Sequence, residues 1–292
     1  MTRIYEFMRM PRIIIIRGFR GIRISYLMSL KLAAIIPHPP LLIPSIGKEN
    51  ILRLEKTKNS YSKLAEALIA EKIETIVIIS SHGPIRENIW SIDLAPEFEI
   101  NFEEFGDYST RLKVGGDLEL AQNIRESLID NENVQAISAP VLDHGCGVPL
   151  YSLLAGQKNA EIVPLYISGK NLLAHFELGK SIGAQIKKGR KKIAVLASGD
   201  LAHTLEKKSP GGYSPRAAKF DQKILELLQD KNAADFLRLD ENLIAEVKPC
   251  GLKAIALLWG ILGQNGYDIA STAYESPFGV GYLAMILKPI SN

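Results

Sequence analysis

The sequence contains little cysteine and no long apolar run. Cys146 and Cys250 are the only cysteines in the 292 residues, too few for the disulfide framework of a small secreted domain. The apolar run nearest the amino terminus, residues 13–16, is shorter than a signal-peptide core or a membrane span requires. These absences predict a cytoplasmic protein that does not associate with a membrane.

The net charge is small and unevenly distributed. The whole chain carries +3 at pH 7. Residues 1–27 hold six arginines and one glutamate, and so contribute +5. Subtracting +5 from +3 leaves −2 for the rest of the chain. A nearly neutral body lacks the basic surface that binds nucleic acid, so we expect no nucleic-acid partner.

The basic amino-terminal segment has no clean amphipathic pattern. We therefore predict that residues 1–27 form a poorly ordered extension, and that the domain itself covers residues 28–292, from the "MSLKLAAIIPHPP" that begins at Met28. An artefact of an upstream start codon, a targeting arm and an additional partner contact are alternative interpretations of the extension.

Apolar, β-branched runs alternate with helical patterns, which is typical of an α/β protein. No linker rich in glycine, serine or proline divides the chain, so we predict one domain with a central sheet flanked by helices. The predicted strands are Leu32–Ile36, Thr75–Ser80, Phe98–Phe102, Arg111–Val114, Val134–Ser138, Glu161–Ile167, Lys192–Ala197, Asp268–Tyr274 and Gly279–Leu287. The predicted helices are Glu49–Ala70, Asp117–Asp130, Asn171–Lys188, Ser214–Leu228, Ala233–Leu239 and Cys250–Gln264.

The five histidines occupy an unusual set of positions. His38, His82 and His203 each follow a predicted strand, and His144 opens a glycine-rich turn. Ligands of open α/β sheets bind beyond the carboxyl ends of the strands, so we expect these four side chains at one edge of the sheet. His175 lies within a predicted helix, where we expect a surface or groove position without a functional role.

The residues around three of these histidines restrict their orientation. Prolines on both sides of His38 fix the backbone and remove amide donors, and a Gly-Pro pair turns the chain after His82. Asp200 precedes His203 by three residues in "SGDLAH". It either caps a helix or orients the His203 imidazole and lines its site.

These positions suggest a metal site. Two imidazoles and a third protein ligand form a facial site for a divalent metal and leave open positions for substrate and oxygen or water. A further histidine that does not bind the metal can move protons. The spacing alone does not separate an oxygenase from a zinc hydrolase.

Six segments in order carry a resemblance to a known family: "IIPHPPLLIP", "VIISSHGP", "LDHGCGVPL", "LASGDLAHT", "GGYSPRAAKFD" and "CGLKAIALLWGIL". Because it contains these six segments in order, the chain resembles the class III extradiol ring-cleavage dioxygenases of the LigB-like type, and also the Memo-like proteins. The resemblance covers nearly everything after Met28. It implies a single α/β domain of the phosphorylase/hydrolase-like, LigB-like kind, with a central mixed sheet.

The resemblance also implies an activity and a set of site residues. Family enzymes cleave a catechol-type aromatic ring with O2, using Fe(II) held by two histidines and a carboxylate. The two ligand histidines correspond to His38 and His82, and the acid/base histidine corresponds to His203. His144 corresponds to a pocket histidine that contacts substrate or oxygen. Members are sometimes linked or fused to AMMECR1-like domains, and many form homodimers.

Other pocket residues follow from the same motifs. Ser81 and Tyr213 are expected to line the pocket, and the alternative for both is ordinary loop packing. Asp200 would orient His203 or line the site.

The third metal ligand departs from the family pattern. Related sequences have a glutamate before the Cys-Gly pair, where this chain has Pro249. Memo-like proteins place a cysteine of a comparable pair at their metal site, so Cys250 is the predicted third ligand. Glu246 and Glu275 are alternatives.

A thiolate ligand would change the expected chemistry. It is softer than a carboxylate and favours zinc, copper(I) or an altered iron potential. The alternative function is therefore a Memo-like metal-binding protein without ring cleavage, with a redox or maturation role. The other cysteine, Cys146, is predicted to be buried packing.

Overall fold

The computed structural model describes residues 29–128, 133–154, 160–263 and 266–290. The predicted basic extension, residues 1–27, lies outside these residues. So do the predicted ends of two helices, at Asp130 and Gln264.

The described residues form ten strands and nine α-helices. The strands are β1 (Leu30–Ile36), β2 (Thr75–Ser80), β3 (Trp90–Asp93), β4 (Glu97–Phe102), β5 (Asp107–Gly115), β6 (Val134–Ile137), β7 (Glu161–Tyr166), β8 (Ile193–Ser198), β9 (Tyr267–Glu275) and β10 (Tyr282–Pro289). The α-helices are α1 (Pro44–Gly47), α2 (Glu55–Glu71), α3 (Leu118–Leu128), α4 (His144–Leu154), α5 (Leu172–Ile186), α6 (Ala217–Gln229), α7 (Ala233–Phe236), α8 (Glu241–Val247) and α9 (Leu252–Leu262). Short 3₁₀ helices cover Pro40–Leu42, Lys48–Leu54 and Glu103–Phe105.

Eight strands form one mixed sheet in the order β6-β3-β7-β2-β8-β1-β10-β9. The four central strands, β7, β2, β8 and β1, are parallel to one another. β3 is antiparallel to β7, β10 is antiparallel to β1, and β9 is antiparallel to β10. Strands β4 and β5 form a separate hairpin. The predicted α/β fold with a central mixed sheet is confirmed.

The central strands are buried on both faces, as parallel strands covered by helices must be. Every residue of β2 and β8 is buried. Side chains alternate between two apolar cores, so Ala33 and Ile35 enter one while Leu32 and Ala34 enter the other. Each fully buried aliphatic side chain contributes roughly 1.5–3 kcal/mol. This double burial holds the carboxyl ends of the strands in fixed positions.

Small residues bring α5 and α9 into close contact. A β-carbon at Gly179 would lie 2.1 Å from the Leu257 carbonyl oxygen, and one at Gly260 would lie 2.0 Å from the Phe176 carbonyl oxygen. Any larger residue would push the helices apart. The close packing fixes the position of α9 against α5.

The predicted surface or groove position of His175 is wrong. Its side chain is fully buried, because both ring nitrogens find partners inside the protein. The His175 Nε2 accepts from the Ser168 amide at 3.1 Å, and its Nδ1 donates to the Asn171 carbonyl at 2.8 Å. Burial lowers the pKa of His175 to about 4, so the ring is a neutral part of the core beside Trp90.

Several elements were not predicted from the sequence. They are strand β3 and the short helices α1 and α8. The expected turn at His144 is instead the first turn of α4. Among the described helices, none combines the length and the hydropathy that a membrane crossing requires.

Candidate metal centre

Three adjacent strands deliver polar residues to the same edge of the sheet. His38 follows β1, His82 follows β2, and Asp200 follows β8, which lies between those two strands. Because the three strands are parallel, their carboxyl ends meet at one edge. The structure therefore brings together residues that are up to 162 positions apart in the chain.

The imidazoles of His38 and His82 face each other. Their Nε2 atoms are 3.1 Å apart, and their ring centroids are 4.8 Å apart. The ring of His144 stands 4.2 Å from that of His82 and 5.4 Å from that of His38. His38 is buried, whereas His82 and His144 are partly exposed.

Hydrogen bonds of Ser198 fix the tautomer of His38. The Ser198 hydroxyl donates its single proton to the Gly145 carbonyl at 2.5 Å. It can then only accept from the His38 Nδ1, which lies 2.9 Å away. With its proton on Nδ1, His38 presents the lone pair of Nε2 toward His82, as a metal ligand requires.

Both imidazoles are neutral at physiological pH. Burial lowers the pKa of His38 to about 3, and repulsion by His144 and His203 acts in the same direction. Burial likewise lowers the pKa of His82 to about 4, with repulsion by His38 and His144 adding to the effect. Neutral imidazoles do not need to lose a proton before they bind a cation.

Cys250 completes a cluster of three donors. Its Sγ lies 3.6 Å from the His38 Nε2 and accepts from the Asp200 amide at 3.1 Å. One ligand atom from each of His38, His82 and Cys250 lies within 4.8 Å of the others; we call these three residues the donor cluster. Burial, with the charge of Asp200, raises the pKa of the Cys250 thiol to about 12.

Asp200 links the donor cluster to His203. Its Oδ1 accepts from the His38 amide at 3.0 Å. Its Oδ2 lies 3.9 Å from the His38 Nε2 and 4.0 Å from the His203 Nε2. Asp200, His203 and Cys250 form a second possible ligand group that shares the thiol with the donor cluster. Burial raises the pKa of Asp200, opposed by the charge of His203.

His203 and His144 stand at the exposed side of the cluster. The His203 Nδ1 donates to the Leu201 carbonyl at 3.0 Å, which leaves Nε2 free to take up a proton. The His144 Nδ1 lies 3.2 Å from the Glu104 carboxylate. Their side chains are 24% and 22% exposed, so a small molecule can reach both.

The two other predicted pocket residues, Ser81 and Tyr213, differ in their exposure to solvent. Ser81 is buried next to His82, and its hydroxyl has no hydrogen-bond partner in the described part of the chain. Tyr213 is 57% exposed on the loop before α6 and belongs to neither ligand group. The predicted burial of Cys146 is confirmed.

The two carboxylates that were alternative third ligands form hydrogen bonds or ion pairs with residues outside the donor cluster. Glu246 accepts from Ser214 and forms an ion pair with Arg216. Glu275 accepts from the hydroxyl of Thr57 at 2.6 Å and from its amide at 2.7 Å. Neither belongs to a ligand group among the described residues.

Sequence reasoning missed two supporting residues. One is Ser198, a polar residue that ends an otherwise apolar strand directly before "GDLAH". The other is Asp221, whose Oδ1 accepts from the Ala202 amide at 2.9 Å and whose Oδ2 accepts from the Tyr274 hydroxyl at 2.6 Å. A charged residue among the apolar positions of a helix, as Asp221 is on α6, was the available signal.

Two of the three separations in the donor cluster fit one bound ion, and the third, between the Cys250 Sγ and the His82 ring nitrogen, is within 4.8 Å. Two imidazole nitrogens bound to one ion at about 2.1 Å lie roughly 3.0–3.4 Å apart, and a thiolate at about 2.3 Å lies roughly 3.1–3.6 Å from each nitrogen. The observed 3.1 Å between the Nε2 atoms and 3.6 Å between Sγ and the His38 Nε2 match these ranges. The neutral rings and the inward lone pair of the His38 Nε2 meet the same requirement.

Comparisons with known proteins identify relatives of this chain. Residues 32–285 match the family described as the catalytic LigB subunit of aromatic ring-opening dioxygenase. "Protein CA_C1420" of Clostridium acetobutylicum is 29% identical over 275 residues, which cover 91% of this chain and 59% of that protein. A "2,3-dihydroxyphenylpropionate/2,3-dihydroxicinnamic acid 1,2-dioxygenase 2" of Dechloromonas aromatica is 29% identical over 135 residues, 43% of each chain.

A solved structure supports the fold. The chain of the "uncharacterized protein JW3007 from Escherichia coli K12" superposes with a TM-score of 0.62 at 20% identity, covering 88% of this chain and 99% of that one. The chain thus spans about three fifths or less of the curated relatives' length and nearly all of this structural neighbour. The match over residues 32–285 identifies the chain as a member of the LigB family.

Proposed function

We propose that this protein is a non-haem Fe(II)-dependent extradiol dioxygenase that opens a catechol-type aromatic ring with O2. The observation that carries the proposal is the 3.1 Å approach of two neutral, inward-facing imidazole nitrogens, from His38 and His82, beside the Cys250 thiol. These three residues would hold the iron, and the Asp200 carboxylate lies within reach of the same position. Bound iron would supply coordination for the substrate oxygens and the electrons for O2 chemistry.

His203 would move the protons. Its Nε2 is free because Nδ1 donates to a backbone carbonyl, so it would accept the proton of a phenolic hydroxyl and later return it. Asp200, 4.0 Å from that nitrogen, would stabilise the imidazolium in between. Positioned general acid–base groups contribute typically 10²–10⁴-fold to a rate.

The walls of the site would exclude water and orient the ring. The His144 imidazole, packed edge-on against Phe105 at 5.4 Å between ring centroids, would donate a hydrogen bond to a substrate or oxygen-derived anion. Ser81 would line the buried side. Tyr213, on its exposed loop, would contact substrate only at the entrance.

A second candidate function is a metal-binding protein of the Memo-like kind without ring cleavage, in a redox or maturation role. It is favoured by the thiol in the donor cluster, because sulfur ligands suit zinc or copper(I) better than a carboxylate does. In this case the same three residues hold a softer metal, and His203 has no substrate proton to move.

The proposed partners follow the family resemblance. The small aromatic substrate is supported by the names of the Dechloromonas and Klebsiella relatives, both dihydroxyphenylpropionate dioxygenases. An AMMECR1-like partner is compatible with the two fifths of the Clostridium relative that this chain does not cover. A homodimer is proposed on the resemblance alone.

The test is metal analysis of anaerobically purified protein, followed by oxygen uptake on a panel of catechols. We expect one iron per chain and catechol-dependent uptake. His203→Gln should retain the iron but lose at least about 100-fold in uptake rate, whereas Lys219→Met, on the exposed face of α6, should change neither. Bound zinc or copper, with no uptake after iron reconstitution, would refute ring cleavage and favour the second candidate.

A further inference from the structure

A second group of three ligand side chains lies beside the donor cluster. One ligand atom from each of Asp200, His203 and Cys250 lies within 4.8 Å of the others. The group shares the Cys250 thiol with the donor cluster and uses neither of the cluster's imidazoles. A thiolate suits zinc, and it has several lone pairs, so one sulfur can bind two ions at once. The two groups are therefore adjacent positions joined at one sulfur.

The other two ligand atoms of this group are available to an ion. The His203 Nδ1 donates to the Leu201 carbonyl at 3.0 Å, so the Nε2 of the neutral ring carries a lone pair. The Asp200 Oδ1 accepts from the His38 amide at 3.0 Å. Its Oδ2 lies 3.9 Å from the His38 Nε2 and 4.0 Å from the His203 Nε2, beyond hydrogen-bond distance of either. This oxygen therefore faces the space between the two histidines.

The charge of Asp200 also favours a cation. The side chain is buried, and among the described residues only His38 and His203 lie within ion-pair distance of it. His38 is neutral because burial lowers its pKa to about 3. No lysine or arginine in the described part of the chain compensates the carboxylate, and a buried carboxylate without a compensating charge is costly. A divalent cation between Asp200 and His203 would supply that charge.

The separations indicate that this position binds an ion more weakly than the donor cluster. Two ligand atoms bound to one ion at about 2.1 Å lie roughly 3.0–3.4 Å apart. The Asp200 Oδ2 and the His203 Nε2 must therefore approach each other by roughly 0.6 Å or more. The His203 side chain is 24% exposed, so its ring has room to move. Since an ion in the donor cluster also repels a second one, the second position fills only when the metal is in excess.

We propose that Asp200, His203 and Cys250 bind a second zinc ion, with the Cys250 thiolate bridging it to the ion in the donor cluster. Zinc accepts carboxylate, imidazole and thiolate ligands together, with water in the remaining position. The second ion would occupy the lone pair of the His203 Nε2, so that His203 could no longer accept a proton. This consequence rests on the proposed function: excess zinc would block the proton transfer that ring opening requires. Binding of the second ion does not depend on it.

The test counts the zinc ions bound to the full chain. Metal-free, reduced protein is dialysed to equilibrium against Zn²⁺ under anaerobic conditions. We expect one Zn²⁺ per chain at low free zinc and two at a large excess. His203→Gln and Asp200→Asn should each retain the first ion and lose the second. His144→Gln is the matched control, because His144 stands at the same edge of the sheet but belongs to neither ligand group, and it should still bind two.

A chemical probe locates the second ion in the wild-type chain. Diethyl pyrocarbonate modifies imidazole nitrogens that carry a free lone pair, and mass spectrometry identifies the modified histidine. Raising Zn²⁺ from a low concentration to a large excess should abolish modification of His203 and leave that of His144 unchanged. Modification of His203 that persists when two ions are bound would overturn the assignment.

The remaining outcomes separate this inference from the proposed function. A single bound ion in the wild-type chain at every zinc concentration, a second ion that His203→Gln retains, or one that His144→Gln loses would overturn the inference. Two bound ions, without oxygen uptake on any catechol by the iron-loaded chain, would refute the ring-cleavage proposal alone. Oxygen uptake by the iron-loaded chain, with one ion bound at every zinc concentration, would refute this inference alone.

Discussion

The two ends of the central strands carry polar clusters of opposite character, each with a buried member, Asp117 at one end and His38 at the other. At the amino-terminal end, Asp117 accepts from the Thr75 hydroxyl at 2.6 Å and forms an ion pair with Lys191 at 2.9 Å, and Lys191 also pairs with Glu161 at 2.8 Å. At the carboxyl-terminal end, the Nε2 atoms of His38 and His82 lie 3.1 Å apart, and protonation of both rings is disfavoured.

Both ends also have cavities, so concavity does not distinguish them. The amino-terminal cluster borders a cavity of about 500 Å³, and Cys250 and Ser81 line part of another of about 620 Å³. The two ends differ in the charge of their polar groups: opposite charges pair at the amino-terminal end, whereas neutral imidazoles and a thiol converge at the carboxyl-terminal end. Paired opposite charges are typical of a structural cluster, whereas neutral ligand groups that converge on one point are typical of a binding site. The comparison therefore supports the metal site proposed at the carboxyl-terminal end.

The pH dependence of the free energy of unfolding tests this comparison and has the largest expected effect. Two buried aspartates, Asp221 and Asp117, should contribute to it. Burial raises the pKa of Asp221 to about 6, above its unfolded value of about 3.9. Its contribution to stability is therefore fully present below about pH 4 and is lost as pH rises through about 6. The loss is on the order of 3 kcal/mol. Asp221→Asn should remove this dependence in denaturant titrations between pH 4 and 7.

The contribution of Asp117 to stability should change with pH in the opposite direction. Burial alone would raise its pKa, but hydrogen bonds from Thr75 and Lys191 lower it below the ordinary value. Its contribution is present above about pH 4 and is lost as pH falls through the folded-state pKa. As pH rises, the Asp117 side chain should add stability and the Asp221 side chain should remove it. Asp117→Asn should therefore abolish a gain in stability, and Asp221→Asn should abolish a loss. The same slope in both variants would contradict the distinction between the two ends.

Removing one hydroxyl at each end of the central strands should have smaller effects, on metal affinity at one end and on the free energy of unfolding at the other. Ser198→Ala deletes the acceptor that keeps the His38 proton on Nδ1, and losing such a partner costs about 10–100-fold in metal affinity. Thr75→Val deletes a hydroxyl at the opposite end of the neighbouring strand. It should lower the free energy of unfolding by about 1 kcal/mol and leave metal affinity unchanged. Competition with a chromophoric chelator measures the affinities, and an equal loss in both variants would argue against a tautomer role for Ser198.

Local patterns were sufficient to predict the strands that position the site. β2 is predicted with its observed bounds because five consecutive apolar or β-branched residues precede the polar "SSHGP". The same reasoning places His38 and His82 at strand ends, and the sheet order then makes them neighbours.

Features that depend on distant contacts were not predictable in the same way. β3 lacks a clear strand pattern, and it forms because β6 and β7 pair with its two sides. His175 appears polar in sequence, but Ser168 and Asn171 satisfy its ring. The hydrogen bond that the His38 Nδ1 donates to Ser198 spans 160 residues, and no spacing rule reveals it.

The most direct test of the account is whether the donor cluster binds one ion through its thiolate. Anaerobic, metal-free protein should be titrated with Co²⁺ while its absorption spectrum is recorded, for the wild-type chain and for Cys250→Ser and His82→Ala. The account predicts saturation at one Co²⁺ per chain with a sulfur-to-cobalt charge-transfer band, loss of that band in Cys250→Ser, and loss of binding in His82→Ala. A wild-type spectrum without the band, or undiminished binding in His82→Ala, would contradict it.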